Sequence, residues 1–172
     1  MITGAQLYTV RDFCKTTEDF ALTLKKIADI GYTTVQVSGT CAYDAQWLKE
    51  QLDMNGLKCV VTHISRERLP YEVEQIAHEH DVFGCDCVGL GWYGFDPEKG
   101  MSFENFVETY GAVAKKLRLL GKKFMYHNHD QEFKRMDGKL ILERICEEIP
   151  AEDMGITFDT YWAQVGGADP AQ

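Results

Sequence analysis

Four times along the chain, a stretch of helical period ends in glycine and passes at once into an apolar, β-rich run, which predicts an α/β fold on a parallel sheet. Ala21 to Ile30 gives way at Gly31 to TTVQVSG, and Ala45 to Asn55 at Gly56 to LKCVVTH. Val73 to Phe83 gives way at Gly84 to CDCVGLGW, and Phe103 to Leu120 at Gly121 to KKFMYHNH. The β-rich runs are nearly continuous in apolar residues, as strands buried on both faces must be. The links are short, which calls for right-handed crossovers between parallel neighbours.

Strands are therefore expected near 3–8, 33–38, 58–63, 86–91, 123–128 and 155–159, with helices near 17–30, 44–55, 71–83, 102–120 and 138–148. Helix starts carry their own signals. Thr16 or Thr17 stands before Glu18 and Asp19, Asp44 before the second helix, Pro70 before the third, and Ser102 with Glu104 at the fourth. Glycine after each helix supplies the left-handed residue that ends it. A closed barrel and an open doubly wound sheet both satisfy this order. The exit of the first strand, GAQLYTVRDF, has no glycine-rich phosphate loop, which disfavours a dinucleotide-binding domain.

The length of 172 residues suits one well-buried domain spanning 1–172. A net charge of -9 argues against a nucleic-acid partner, because such binding depends on neutralising phosphates with Lys and Arg. No apolar run approaches the roughly 20 residues of a membrane span, and the N-terminus carries no basic and apolar leader, so a cytoplasmic, membrane-free protein is expected. The six cysteines are scattered without a secreted-domain pattern and read as reduced, mostly buried thiols.

Polar groups collect where the strands end. Gln6 and Tyr8 close the first, Gln36 and Ser38 the second and His63 the third, while Trp92 and Tyr93 follow the fourth. The fifth, in FMYHNHDQEF, discharges His127, Asn128 and His129 and then Glu132; the sixth, in GITFDTYW, ends in Asp159. In a parallel barrel all these ends share one face, where barrel enzymes keep their active sites. His127 and His129 lie two apart on a strand and so point to one side, with Asn128 on the other. Imidazoles and carboxylates gathered at one mouth suit either proton transfer or a divalent metal. Trp92, Tyr161 and Trp162 offer faces on which a sugar ring can stack. His78 and His80, in the third helix beside Glu79 and Asp81, are expected to be exposed.

Taken together, GAQLYTVRD, IGYTTVQVSG, VVTHIS, YHNHDQEF and ITFDTYWAQVGGADP resemble the sugar phosphate isomerase/epimerase family of xylose isomerase-like TIM barrels. The resemblance implies a (βα) barrel of TIM type with a divalent metal at its mouth, and chemistry on a sugar carbon next to a carbonyl. That family holds its metal with a Glu, an Asp, a His and a second Glu. Asp159 matches the Asp and Glu132 stands for the first Glu, although better-known relatives carry that residue within the fifth strand, near Met125. Mn²⁺ is the first expectation, with Mg²⁺, Co²⁺ or Zn²⁺ as alternatives. Among the strand-end groups, His127, His129 and Glu132 are expected to be catalytic, one imidazole being able to ligate or bridge to the metal while the other acts as acid/base or grips a sugar hydroxyl, and Gln6, Tyr8, Gln36, His63, Asn128 and Trp162 are expected to contact a small-molecule sugar.

The family continues beyond GGADP with further strands, so the expectation is an incomplete barrel of about six strands and five helices. Its exposed edges are a route to a homo-oligomer. The expected reaction is isomerisation or epimerisation of a sugar or sugar phosphate. Elimination from a 3-keto sugar on the same barrel is one alternative, and a non-catalytic half-barrel that binds a ligand or partner is another.

Overall fold

The computed structural model describes residues 3–171. In chain order the main elements begin with β1 (Ala5–Gln6), α1 (Thr17–Ile30), β2 (Thr34–Val37), α2 (Ala45–Met54), β3 (Lys58–Ile64), α3 (Val73–Val82), β4 (Cys87–Leu90), α4 (Phe103–Leu119) and β5 (Lys123–His127). A short hairpin follows, β6 (Arg135–Met136) and β7 (Lys139–Leu140), then α5 (Ile141–Glu148), β8 (Met154–Thr157) and α6 (Thr160–Val165). The six main strands form one sheet in the order β1-β2-β3-β4-β5-β8, as the parallel α/β expectation requires. No helix among the described residues is long and apolar enough to cross a membrane.

The caps form where the sequence placed them. Thr16 accepts from the Asp19 N–H at 3.1 Å, Asp44 from the N–H groups of Gln46 and Trp47 at 2.9 and 3.1 Å, and Ser102 from that of Asn105 at 3.1 Å. Gly31 and Gly121 leave their helices at φ 109 and 76, conformations that cost a side chain dearly.

Four expectations change. The first strand stops at Gln6, and Leu7–Phe13 winds into a 3-10 helix, so Tyr8 is a helical residue rather than a strand end. A sixth helix, α6, follows Asp159. The expected fifth helix is shortened by the hairpin, whose two-residue turn, Asp137 and Gly138, has φ 53 and 84 as a type I′ turn demands. His80 is fully buried: its Nδ1 lies 2.7 Å from the Ile76 carbonyl and its Nε2 2.8 Å from Thr62 Oγ1. The first contact makes Nδ1 the protonated nitrogen, so Nε2 accepts from the threonine hydroxyl.

The chain divides into two compact units. The first contains the segments up to Ile64 and Glu74–Val88. Its core packs Phe20, Leu24 and Ile27 of α1 against Val35, Val37, Leu48 and Leu52. The β2–β3 ladder here carries a register shift: Val35 faces Cys59 but Gln36 faces Val61, leaving Val60 as an extra residue. Such a bulge reverses which side chains face which way. Cys59 and Thr62, three apart, are both buried, and His63 turns to the face that carries Gln36 and Ser38.

The second unit contains Ser65–Val73 and the chain from Gly89 onward. Its centre is aromatic: Phe106 lies edge-on to Tyr126 at 4.9 Å and to Tyr93 at 5.1 Å, and Tyr110 stacks on Phe124 at 6.1 Å. Strand β8 pairs in parallel with β5 in unbroken register from Phe124↔Met154 to His127↔Thr157. That register brings the ends of β5 and β8, and the residues that follow them, side by side.

Candidate active site

In the second unit, β5 ends at His127 and the chain turns through Asn128, His129 and Asp130 into a 3-10 turn, Gln131–Phe133. The His127 and His129 rings meet edge to face, centroids 4.8 Å apart, on one side as their spacing predicts. Asp159 Oδ2 lies 3.8 Å from His127 Nε2, and Trp162 lies against His129 at 5.0 Å. Burial holds the His127 imidazole below the ordinary histidine pKa; the neighbouring His129 adds to this and Asp159 opposes it. Burial lowers His129 too, against the pull of Asp159 and Asp130. Two neutral imidazoles with a carboxylate beside them form a proton-accepting cluster.

Asp159 has two duties. Its Oδ1 caps α6 by accepting from the Trp162 N–H at 3.1 Å, which leaves Oδ2 toward His127. Asn128 holds it there, accepting from the Asp159 N–H at 2.8 Å and donating to the Asp159 carbonyl at 3.1 Å. Asn128 is fully buried, so both ends of its amide serve the protein rather than the sugar expected for it.

Glu132 is also fully buried. One carboxylate oxygen accepts from the Tyr126 hydroxyl and the other from the His129 N–H at 2.8 Å. The Tyr126 phenol is pushed well above its usual pKa, by burial first and then by Glu132, and so remains a donor. The paired ligand role expected for Glu132 and Asp159 does not fit this geometry. Both Glu132 oxygens are occupied by protein donors, and among the described residues no group of three or more His, Cys, Asp or Glu side chains is arranged around a common ion position.

The first unit gathers a different set. Gln36 Nε2 lies 2.7 Å from His63 Nε2 and Ser38 Oγ 3.0 Å from His63 Nδ1. An amide nitrogen only donates, so His63 Nε2 accepts and Nδ1 carries the proton toward Ser38. Gln6 faces Gln36 across the β1–β2 ladder, and its Oε1 is buried without a hydrogen bond. Tyr8 is about half exposed, with the Arg11 guanidinium 4.5 Å from its ring centre.

Two participants escape sequence reading. Tyr126 reads as a core aromatic, and nothing local shows that its hydroxyl meets Glu132. Gln131 reads as a loop residue, yet its amide, correctly oriented, donates to the Gly94 carbonyl at 2.7 Å and accepts from the Gly94 N–H at 3.1 Å. It thereby pins the loop that follows β4.

No protein-family model and no curated protein sequence matches the chain. Solved structures do. A sugar phosphate isomerase/epimerase from Parabacteroides distasonis superposes with a TM-score of 0.80 at 21% identity over 98% of this chain and 68% of its own. An AP endonuclease, family 2, from Brucella melitensis gives 0.71 at 18% identity over 99% of this chain and 73% of its own. A probable 3-DHS dehydratase from Bacillus anthracis gives 0.70 at 13% identity over 99% and 67%. The chain thus has the fold of the xylose isomerase-like TIM barrels, shared by proteins of differing chemistry.

Proposed function

We propose that the chain acts on a sugar, or a similar polyol, by moving a proton at the carbon next to a carbonyl, as an isomerase or epimerase does. The observation that carries this reading is the His127, His129 and Asp159 cluster: two imidazoles 4.8 Å apart, one of them 3.8 Å from a carboxylate. A neutral imidazole takes the proton from carbon, and the nearby Asp159 carboxylate stabilises the imidazolium that results. Return of the proton to the adjoining carbon gives isomerisation; return to the opposite face gives epimerisation. The exposed part of Trp162, beside His129, provides a surface for the apolar face of a sugar ring. The likeness to a sugar phosphate isomerase/epimerase supports the substrate class.

Elimination is the second reading, supported by the same pair of rings. The imidazole that removes the proton becomes an imidazolium and can hand that proton to the departing hydroxyl, which leaves as water, and a dehydratase stands among the similar folds.

The test is proton exchange. Ketohexoses, aldohexoses and 3-keto glucosides are incubated with the protein in D₂O, with and without Mn²⁺, and loss of the C–H signal next to the carbonyl is followed by NMR. Exchange should occur with at least one of them and fall about 100-fold or more in His127→Gln or His129→Gln. Exchange that both variants retain at the original rate would remove the cluster from the chemistry.

A further inference from the structure

Glu132 occupies a costly position. Its side chain is wholly buried, and it forms no ion pair with a Lys or Arg among the described residues. A buried carboxylate without a cation is tolerated only where hydrogen bonds replace water, and here two do so, from the Tyr126 hydroxyl and the His129 N–H. These two donors stand on either side of the His127–Asn128 segment. Tyr126 is the penultimate residue of β5, itself wholly buried among Phe95 and Phe106, and His129 is the first residue beyond Asn128. The carboxylate thus ties the rigid strand to the backbone of the turn.

We infer that Glu132 is a positioning residue: with Tyr126 it fixes the turn that sets the His127 and His129 rings against each other, and it neither binds a metal nor exchanges a proton with substrate. A ligand or an acid/base group needs an oxygen open to the site, and Glu132 has none. The geometry of the turn depends instead on one oxygen accepting from the His129 N–H while the other is anchored on the tyrosine. A glutamine can reproduce that arrangement. Its oxygen accepts from the His129 N–H and its NH₂ donates to the tyrosine oxygen, which can accept as well as donate. The negative charge is lost, together with the acceptor for the Tyr126 hydroxyl proton.

This inference rests on the proton-transfer reading for what the turn serves, but not for how the turn is held. The test compares the wild-type chain with Glu132→Gln, Glu132→Ala and Tyr126→Phe by three measurements. These are the ring-proton NMR shifts of His127 and His129, Mn²⁺ affinity by calorimetry, and the rate of C–H exchange in D₂O. Glu132→Gln should keep the ring shifts and the Mn²⁺ affinity of the wild type and hold exchange within about fivefold. Tyr126→Phe and Glu132→Ala should displace the ring shifts, with exchange falling at least about 20-fold.

Should Glu132→Ala not fold, the Gln and Phe variants still decide the matter. A Glu132→Gln chain with intact ring shifts but exchange reduced as far as in His129→Gln would overturn the inference, because the carboxylate itself would then be reacting. So would a tenfold loss of Mn²⁺ affinity in that variant. If the wild type exchanges no sugar proton, the chemical reading fails alone, and the ring shifts still test the positioning role.

Discussion

The side chain of Asn128 binds both backbone groups of Asp159, accepting from its N–H at 2.8 Å and donating to its carbonyl at 3.1 Å. The β5–β8 ladder ends at His127↔Thr157, and this amide extends the pairing beyond its last backbone rung. Replacing it with alanine leaves two partly buried backbone groups without their partner. Asn128→Ala should lose about 2–4 kcal/mol of stability in urea titration. The Asp159 amide should exchange with solvent faster than its neighbours in β8. An unchanged midpoint would show that the amide bears no weight.

Two glycines nearby should respond differently to alanine. At Gly166 an added Cβ would stand 2.8 Å from Phe133 Cβ and 3.0 Å from the Asp130 carbonyl, neither of which can swing aside. At Gly155 the nearest atoms are Met125 Sδ at 2.8 Å and Cε at 3.1 Å, the far end of a flexible chain. Gly166→Ala should cost about 1–3 kcal/mol, and Gly155→Ala clearly less. Thermal melts of the two variants side by side decide the order.

In the first unit, Thr62→Val keeps the shape of the buried threonine but removes the hydroxyl that His80 Nε2 accepts from at 2.8 Å. The expected loss is about 1–3 kcal/mol with an unchanged denaturant slope, and Thr62→Ser should recover most of it.

The thiols should label in a fixed order. None of the six cysteines is in a disulfide; Cys146 is exposed and Cys14, Cys59 and Cys85 are buried. Cys59 is held well above the usual thiol pKa by its neighbour Cys85 and then by burial, and Cys14 is raised chiefly by burial. The Cys146 thiol is raised as well, by burial, so it should react first but slowly, and faster as pH rises and more thiolate forms. Cys14, Cys59 and Cys85 should react only in denaturant. Rapid native labelling of any of the three at neutral pH would contradict the packing.

What could be read from the chain was what local chemistry dictates. Thr16, Asp44 and Ser102 cap helices because their own oxygens reach a nearby N–H, and Gly31 and Gly121 end helices because a left-handed residue is needed there. The shared side of His127 and His129 is expected from strand alternation, and the structure brings their rings together although the strand ends at His127 and His129 lies in the turn beyond it. What could not be read depends on neighbours distant in sequence. The extra residue at Val60 exists only relative to β2, and it decides which way His63 turns. His80 looked exposed because charged residues surround it in α3, whereas Thr62 supplies a partner from another element. Glu132 and Asn128 were judged by residue type, and their employment is set by Tyr126 and Asp159. The Asp137-Gly138 signal for the hairpin is present, but flanking strands of two residues are too short to show alternation.

Between Tyr126 and Glu132 the chain separates what holds from what is offered. The side chains of Tyr126, Asn128 and Glu132 hydrogen-bond within the protein, while the rings of His127 and His129 are the groups that the proposed reaction would use. Such a division makes the turn a cartridge: the two offered positions can be rewritten while the three holding ones keep the shape. A lineage exploring new reactions on this scaffold is then free to vary residues 127 and 129 one at a time, each trial starting from a folded protein, whereas the same experiment at 126, 128 or 132 would have to rebuild the mount first.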